Sequence, residues 1–221
     1  MIRKFLLVVA ALSPWFVRRQ MLRALCRATF GKGSHVGFSF IDTQCLALGD
    51  GARIGSMNVF MHVREVRLEA GAIMGNLNWA SGLSHLTGLD DNGGYRSGGL
   101  VIREGGSITS RHYLDMNADI EFGRMSQIAG VRSTFLTHSI DIMANRQERA
   151  PVYVGNYTFV GTNSVLLAGA HIPDKCVVAA GAVVTGRLTE SNCLYGGVPA
   201  RMLKNMPEGG GFFSRTDAVV K

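Results

Sequence analysis

The sequence predicts an all-β fold, a solenoid of short flat strands that turns a corner every six residues, with a helical segment ahead of it. Three observations predict it. Aliphatic residues recur at a strict interval of six at Val154, Val160, Leu166, Ile172, Val178 and Val184, a period that neither a helix nor a simple amphipathic strand produces. Four positions after each of them stand Thr158, Ser164, Ala170, Cys176, Ala182 and Leu188, all but the last small. The chain also carries 28 glycines and only 8% aromatic residues within a 47% hydrophobic composition. That balance suits many short strands joined by tight turns better than a helical bundle.

Each six-residue unit thus holds one large and one small inward side chain. The small residue fits where the corner crowds the interior, and the aliphatic one fills the centre. The rule runs backward through Leu48-Gly49 and Ile54-Gly55 with Ala52 and Asn58, and through Leu68 and Met74-Gly75 with Ala72 and Asn78. It continues in Ile102, Ile108 and Leu114 with Gly106, His112 and Ala118, then resumes two residues out of phase at Phe122-Gly123 and Ile128. Two stretches break it, residues 77–99, rich in Gly, Asn, Asp and Ser, and residues 135–151. Insertions of that length are usually functional or disordered, and in repeat folds they gather on one face, often the binding face. The expected organisation is therefore a helical segment at 1–30, a coil at 31–206 with insertions at 77–99 and 135–151, and a flexible tail at 207–221.

The N-terminal segment differs in character from the rest. Arg3 and Lys4 precede an apolar run from Phe5 to Leu12, which is too short to span a bilayer and is followed by no small-x-small cleavage site. From Pro14 onward, an amphipathic helix would set Arg19, Arg23 and Arg27 on one stripe, with Phe16, Met21, Leu22 and Leu25 largely elsewhere. Such a helix suits a membrane interface and equally suits a cap on the coil or a subunit contact. The formal net charge of +7 fits anionic partners in general. No nucleic-acid-binding motif accompanies it, so no nucleic-acid partner is expected.

Cys26, Cys45, Cys176 and Cys193 form no C-x-x-C pair and no metal-ligand spacing, the pattern of reduced thiols in a cytosolic setting. A zinc site built from three histidines, as a metal-dependent hydratase would need, has no close pair to start from among His35, His62, His85, His112, His138 and His171. No metal is expected.

Residues 151–204, with VYVGNYTFVGTNSVLLAGAHIPDKCVVAAGAVVTGRL and GGVPARMLK, resemble the C-terminal signature of hexapeptide-repeat acyltransferases. The nearest members are the sugar O-acetyltransferases of the maltose and galactoside acetyltransferase type and their relatives in exopolysaccharide synthesis. The likeness is specific over the last third of the chain, looser over residues 46–142 and absent from residues 1–30. It implies a left-handed parallel β-helix, an exception to the right-handed crossover rule, and a homotrimer with active sites in the clefts between neighbouring coils. It also implies acetyl-CoA as acyl donor and a hydroxyl of a sugar or lipid-linked saccharide as acceptor, in surface polysaccharide or glycolipid biosynthesis. The place would be the cytoplasm, and the inner membrane surface if the N-terminal helix touches it.

Transfer from a thioester to an alcohol requires loss of the alcohol proton, for which a histidine is the natural base. The resemblance assigns that role to His138, in the insertion just before the strict repeats. It assigns oxyanion stabilisation to the backbone N–H of Thr162. An acidic partner would orient the imidazole; Asp141 and Glu148 lie in the same loop, and Asp115, about one coil lower and held by a rung, is the first choice. His112 and Asn117 are candidates for lining the acceptor pocket, His112 being equally suited to a hydrogen-bonded structural position. Trp79 and Tyr95 could stack on a sugar ring or cover the end of the coil. Ala180 and Gly181 match the position where the family lays the pantetheine arm against small residues, and Arg201 and Lys204 stand where it places cations for the nucleotide phosphate. Two other readings share the fold, N-acetylation of an amino sugar and a non-catalytic coil acting as a scaffold.

Overall fold

The computed structural model describes residues 2–82, 97–207 and 209–218. Short strands stack coil upon coil in three columns. One column runs through His35–Val36, Arg53–Ile54, Ile73–Met74, Ser107–Ile108, Gln127–Ile128, Phe159–Val160, Val177–Val178 and Cys193–Gly196. A second contains Trp79–Ser81, Tyr113–Asp115, Thr134–Phe135, Val165–Leu166 and Val183–Val184, and a third Gly99–Ile102, Ile120–Phe122, Val152–Val154 and His171–Ile172. The longer strands Phe40–Leu48 and Val59–Leu68 bend around a corner and belong to both of the latter columns. Pairing between successive coils is parallel, and the two antiparallel pairs among the described residues are hairpins.

The period of six has its physical cause in this stacking. Val154, Val160, Leu166, Ile172, Val178 and Val184 are all fully buried, one on each strand of the last coils, and Thr158, Ser164, Ala170, Cys176 and Ala182 are buried at the corners. The glycine that follows an aliphatic residue marks a place where the next coil comes too close for any side chain. A Cβ on Gly155 would lie 2.5 Å from the backbone carbon of Pro173, and one on Gly161 would lie 2.7 Å from the Ala180 nitrogen.

Polar residues at one inward corner bond from coil to coil. The Asn58 N–H donates to the Ser39 hydroxyl, Asn78 N–H to Asn58 Oδ1, His112 N–H to Asn78 Oδ1, Ser133 N–H to His112 Nδ1 and Ser164 N–H to the Ser133 hydroxyl. Each turn satisfies a backbone donor that the corner geometry leaves without a strand partner, which is how polar residues sit in this core without cost.

Both predicted insertions are shorter or more ordered than the sequence suggests. Trp79–Ser81 is a strand in full register with Val59–Met61 and Tyr113–Asp115, so residues 77–82 belong to the coil, and the described chain is again part of it from Ser97. Tyr95 and His85 lie outside the described residues. The second excursion is a β-hairpin, His138–Asp141 paired with Arg146–Arg149. Phe135 is already fully buried in the core and packs its ring 5.1 Å from that of Phe122, so the coil is left only after it. The two-residue phase slip after Leu114 is a widened corner, with Met116 as an extra buried side chain between Leu114 and Ile120.

The N-terminal segment folds as two helices, α1 (Ile2–Leu12) and α2 (Trp15–Cys26), rather than one. Leu7, Leu22 and Cys26 join the core at the first coil. Arg27 lies past the end of α2 in a left-handed conformation and not on its cationic stripe. Arg18 is buried and donates to the carbonyls of Ala10 (3.1 Å) and Val36 (2.7 Å), tying both helices to the coil. No helix among the described residues is long and apolar enough to cross a membrane. The tail is docked where residues 209–218 are described: the Phe212 ring meets Phe159 edge-on at 5.8 Å, and Arg215 donates to the Met125 carbonyl.

Candidate active site

The widened corner places a carboxylate and an imidazole together. Asp115 ends the strand Tyr113–Asp115 and is 3% exposed. One coil further on, the chain leaves the core through Thr137 and His138, whose backbone N–H groups both point at Asp115 Oδ2, at 2.9 and 3.1 Å. The Thr137 hydroxyl donates to the Asp115 carbonyl (2.7 Å) and accepts from the Ala118 N–H (2.9 Å), which locks the root of the hairpin to the corner below. Asn117 Nδ2 donates to the other carboxylate oxygen, Oδ1. Three donors therefore fix both oxygens of this carboxylate.

His138 Nδ1 lies 2.5 Å from Asp115 Oδ2. An ionised carboxylate only accepts, so Nδ1 carries the proton. Asn117 Nδ2 lies 3.0 Å from the same nitrogen, but both atoms then bear hydrogens and the amide's bond goes to the carboxylate. The lone pair is left on Nε2, for which no partner is present among the described residues, and the side chain is 32% exposed. The tautomer is thereby set, and a proton taken up at Nε2 would leave an imidazolium beside the Asp115 carboxylate.

Of the other residues singled out in the sequence, Asn117 belongs to this cluster, as a buried donor to Asp115. Its amide nitrogen faces the dyad. His112 does not join the cluster and is 2% exposed. Its Nε2 bonds the Thr109 hydroxyl at 2.9 Å and its Nδ1 accepts from the Ser133 N–H. Burial pushes its pKa down to about 4, so it is a neutral part of the corner and offers no nitrogen to an acceptor. Trp79 is 45% exposed on the same face as the dyad, in register with Tyr113, itself 42% exposed. Tyr113 and Thr137 were not picked out from the sequence, although the parallel between Trp79-Ala80-Ser81 and Tyr113-Leu114-Asp115 already carried the signal for Tyr113.

Thr162 stands at another corner. Its hydroxyl takes the Val131 N–H, at 3.0 Å, at the start of the face that ends at Thr137. A strand face of this length separates the two ends by roughly 15 Å, so one chain does not bring the Thr162 N–H to His138. That N–H has no partner among the described residues, because the residue one coil above is Ala180, which has no side-chain acceptor. Gly181 bonds its own N–H to the Thr162 carbonyl at 2.9 Å, has left-handed φ of +71° and has open space around its Cβ position. Thr162, Ala180 and Gly181 thus form an exposed edge of small groups. Arg201 and Lys204 lie on the exposed strand Arg201–Asn205, which folds back antiparallel on Cys193–Gly196. Among the described residues no three His, Cys, Asp or Glu side chains gather as a metal site.

Residues 151–186 match the family model described as the hexapeptide repeat of succinyl-transferase. Among solved structures the chain is similar to the polysialic acid O-acetyltransferase OatWY, with a TM-score of 0.53 and 16% identity over 80% of this chain and 85% of that one. It is similar also to a hexapeptide-repeat containing acetyltransferase from Vibrio cholerae, with a TM-score of 0.51 and 17% identity over 93% and 89% of the two chains. A third is AntD, an N-acyltransferase from Bacillus cereus solved with dTDP and 3-hydroxybutyryl-CoA, with a TM-score of 0.54 and 12% identity over 87% and 90%. The fold shared with these proteins is the left-handed β-helix, and residues 151–186 carry its hexapeptide repeat.

Proposed function

We propose that the protein is an acyltransferase that moves an acetyl group from acetyl-CoA to a hydroxyl of a sugar, with His138 as general base. The observation that carries this reading is the Asp115–His138 pair, an imidazole with Nδ1 on a fully bonded carboxylate and a half-open Nε2. In the reaction His138 Nε2 takes the proton of the acceptor hydroxyl as its oxygen attacks the thioester carbonyl. The tetrahedral intermediate then expels the coenzyme thiolate, which recovers the proton, leaving an acetyl ester. Asp115 stabilises the imidazolium that exists between the two transfers.

The match of residues 151–186 to a hexapeptide repeat and the coenzyme-bound relative of the same fold support the choice of donor. The edge of Thr162, Ala180 and Gly181 fits a pantetheine arm, since small side chains let it approach the backbone and the Thr162 N–H is open to a carbonyl oxygen. In this reading that edge meets His138 of a neighbouring copy across the cleft of a homotrimer, because the two stand at opposite ends of one face in a single chain. Arg201 and Lys204 would serve the nucleotide phosphates. A saccharide acceptor, soluble or lipid-linked, agrees with the exposed Trp79 and Tyr113 rings beside the dyad.

The test is thiol release and acetyl transfer from acetyl-CoA to saccharide acceptors by the native protein and by His138→Ala. Native turnover with an ester product, cleaved by alkaline hydroxylamine, is expected, with a loss on the order of 10² to 10⁴ in the variant. Near-native turnover of His138→Ala would remove the assigned base, and a hydroxylamine-stable product would make the reaction N-acylation.

A further inference from the structure

The two N-terminal helices bury one side and expose the other, and on α1 the exposed side is mostly apolar. On α1, Leu7 and Ala10 face the coil. Phe5, Val8, Val9 and Leu12 fall at i, i+3, i+4 and i+7, one helix face, and are 67, 45, 39 and 73% exposed. Phe16, 73% exposed, continues this apolar surface onto α2. Two arginines lie on the opposite, inward side of the helices. Arg3 pairs with the buried Asp42 and donates to the Thr43 carbonyl at 2.9 Å, and Arg18 is spent on backbone carbonyls. These bonds fix the rotation of the helices, so that the apolar face is held outward by design of the packing and not by chance of a loose terminus.

Charge is partitioned in the same way. Seven lysines and arginines precede the first carboxylate of the sequence, Asp42, and the remainder of the chain holds sixteen basic and sixteen acidic residues. The formal net charge of +7 therefore belongs entirely to the helices and the first coil. Lys4, Arg23 and Arg27 are exposed on this part.

We infer that α1 and α2 form a docking surface for an anionic lipid bilayer, with Phe5, Val8, Val9, Leu12 and Phe16 entering the headgroup boundary while Lys4, Arg23 and Arg27 meet the lipid phosphates. A helix of 11 residues lies in the interface plane and does not cross it. Charge decides against a second copy as the occupant, since two such faces brought together would oppose two like-charged surfaces, whereas an anionic bilayer meets both the apolar face and its cations. This inference is independent of the acyl-transfer reading; either holds if the other fails.

The experiment is co-flotation of the full chain with phosphatidylcholine vesicles and with vesicles in which part of that lipid is replaced by phosphatidylglycerol. The native protein is expected to float with the anionic vesicles, far less with the zwitterionic ones, and less with both anionic lipid and high salt. The doubly substituted Phe5→Asp, Leu12→Asp chain, altered only at exposed positions, is expected to keep its melting temperature and to lose vesicle binding by at least about tenfold, the equivalent of 1.4 kcal/mol. Native protein that stays in solution with anionic vesicles, or a double variant that binds as well as the native chain, overturns the proposal. So does a fall in the lipid-free sedimentation mass on making the double variant, which would give the face to a second copy.

Discussion

His138 Nδ1 and Asp115 Oδ2 lie 2.5 Å apart although 23 residues separate them in sequence. The carboxylate that makes this contact also receives the N–H of His138 itself, so the imidazole is referenced to Asp115 through both its backbone and its ring. Replacing Asp115 with Asn keeps an oxygen for the two backbone donors while removing the negative charge. Asp115→Asn is expected to retain the fold, by circular dichroism and melting temperature, and to lower kcat by roughly 10²-fold. A variant with native kcat would show that the imidazolium needs no counter-charge.

The exposed ring of Trp79 stands on the dyad's own face, in register with Tyr113, two residues before Asp115. Trp79→Ala should raise KM for the saccharide about tenfold, the equivalent of 1.4 kcal/mol, and leave KM for acetyl-CoA unchanged. Steady-state kinetics with each substrate varied in turn separates the two, and an effect confined to the donor would remove Trp79 from the acceptor side.

His112 makes the coil sensitive to acid. With its pKa pushed by burial from 6.5 to about 4, the folded state keeps the ring neutral where the unfolded chain protonates it. Stability contributed by this residue is therefore complete above pH 6.5 and is lost as pH falls from 6.5 to about 4, on the order of 2–3 kcal/mol. Urea unfolding between pH 7 and 4 is expected to show a shallower decline in His112→Asn than in the native protein, and equal slopes would mean that His112 does not titrate differently on unfolding.

Gly155 and Gly186 test the stacking directly. A Cβ at Gly155 would meet the Pro173 backbone at 2.5 Å, while nothing lies within 4 Å of one at Gly186. Gly155→Ala is predicted to cost about 1–3 kcal/mol by overpacking and Gly186→Ala to be close to neutral, both read from denaturant midpoints.

The regular coils were legible because every residue in them answers to a local rule. An interval of six with a small residue four positions on is forced by a strand, a corner and an interior of fixed width, so Val154 through Val184 declared themselves. The excursions were less legible. Trp79–Ser81 reads as loop amid Gly, Asn and Ser, and only its pairing with Val59–Met61 and Tyr113–Asp115 makes it a strand. The break at α1 and α2 was half visible at Ser13-Pro14, but the inward turn of Arg3 and Arg18 depends on carbonyls and a carboxylate that those helices meet only after the coil exists. Asp115 was preferred from the phase of the repeat, and the reason that the preference met its partner is that coil stacking converts a separation of about one turn into a van der Waals step.

By itself the sequence determined the period, the identity of the residues that face the interior, and the type of groups available for chemistry, all of which follow from side-chain size and polarity at fixed spacing. The tertiary structure alone decided which of those groups meet: it drew His138, Asp115 and Asn117 together at a widened corner, withdrew His112 into the core, and left Thr162 at the far end of the same face. The reason is that a solenoid brings residues together by their position around the turn, and two added residues or one hairpin change that position without changing the period on either side.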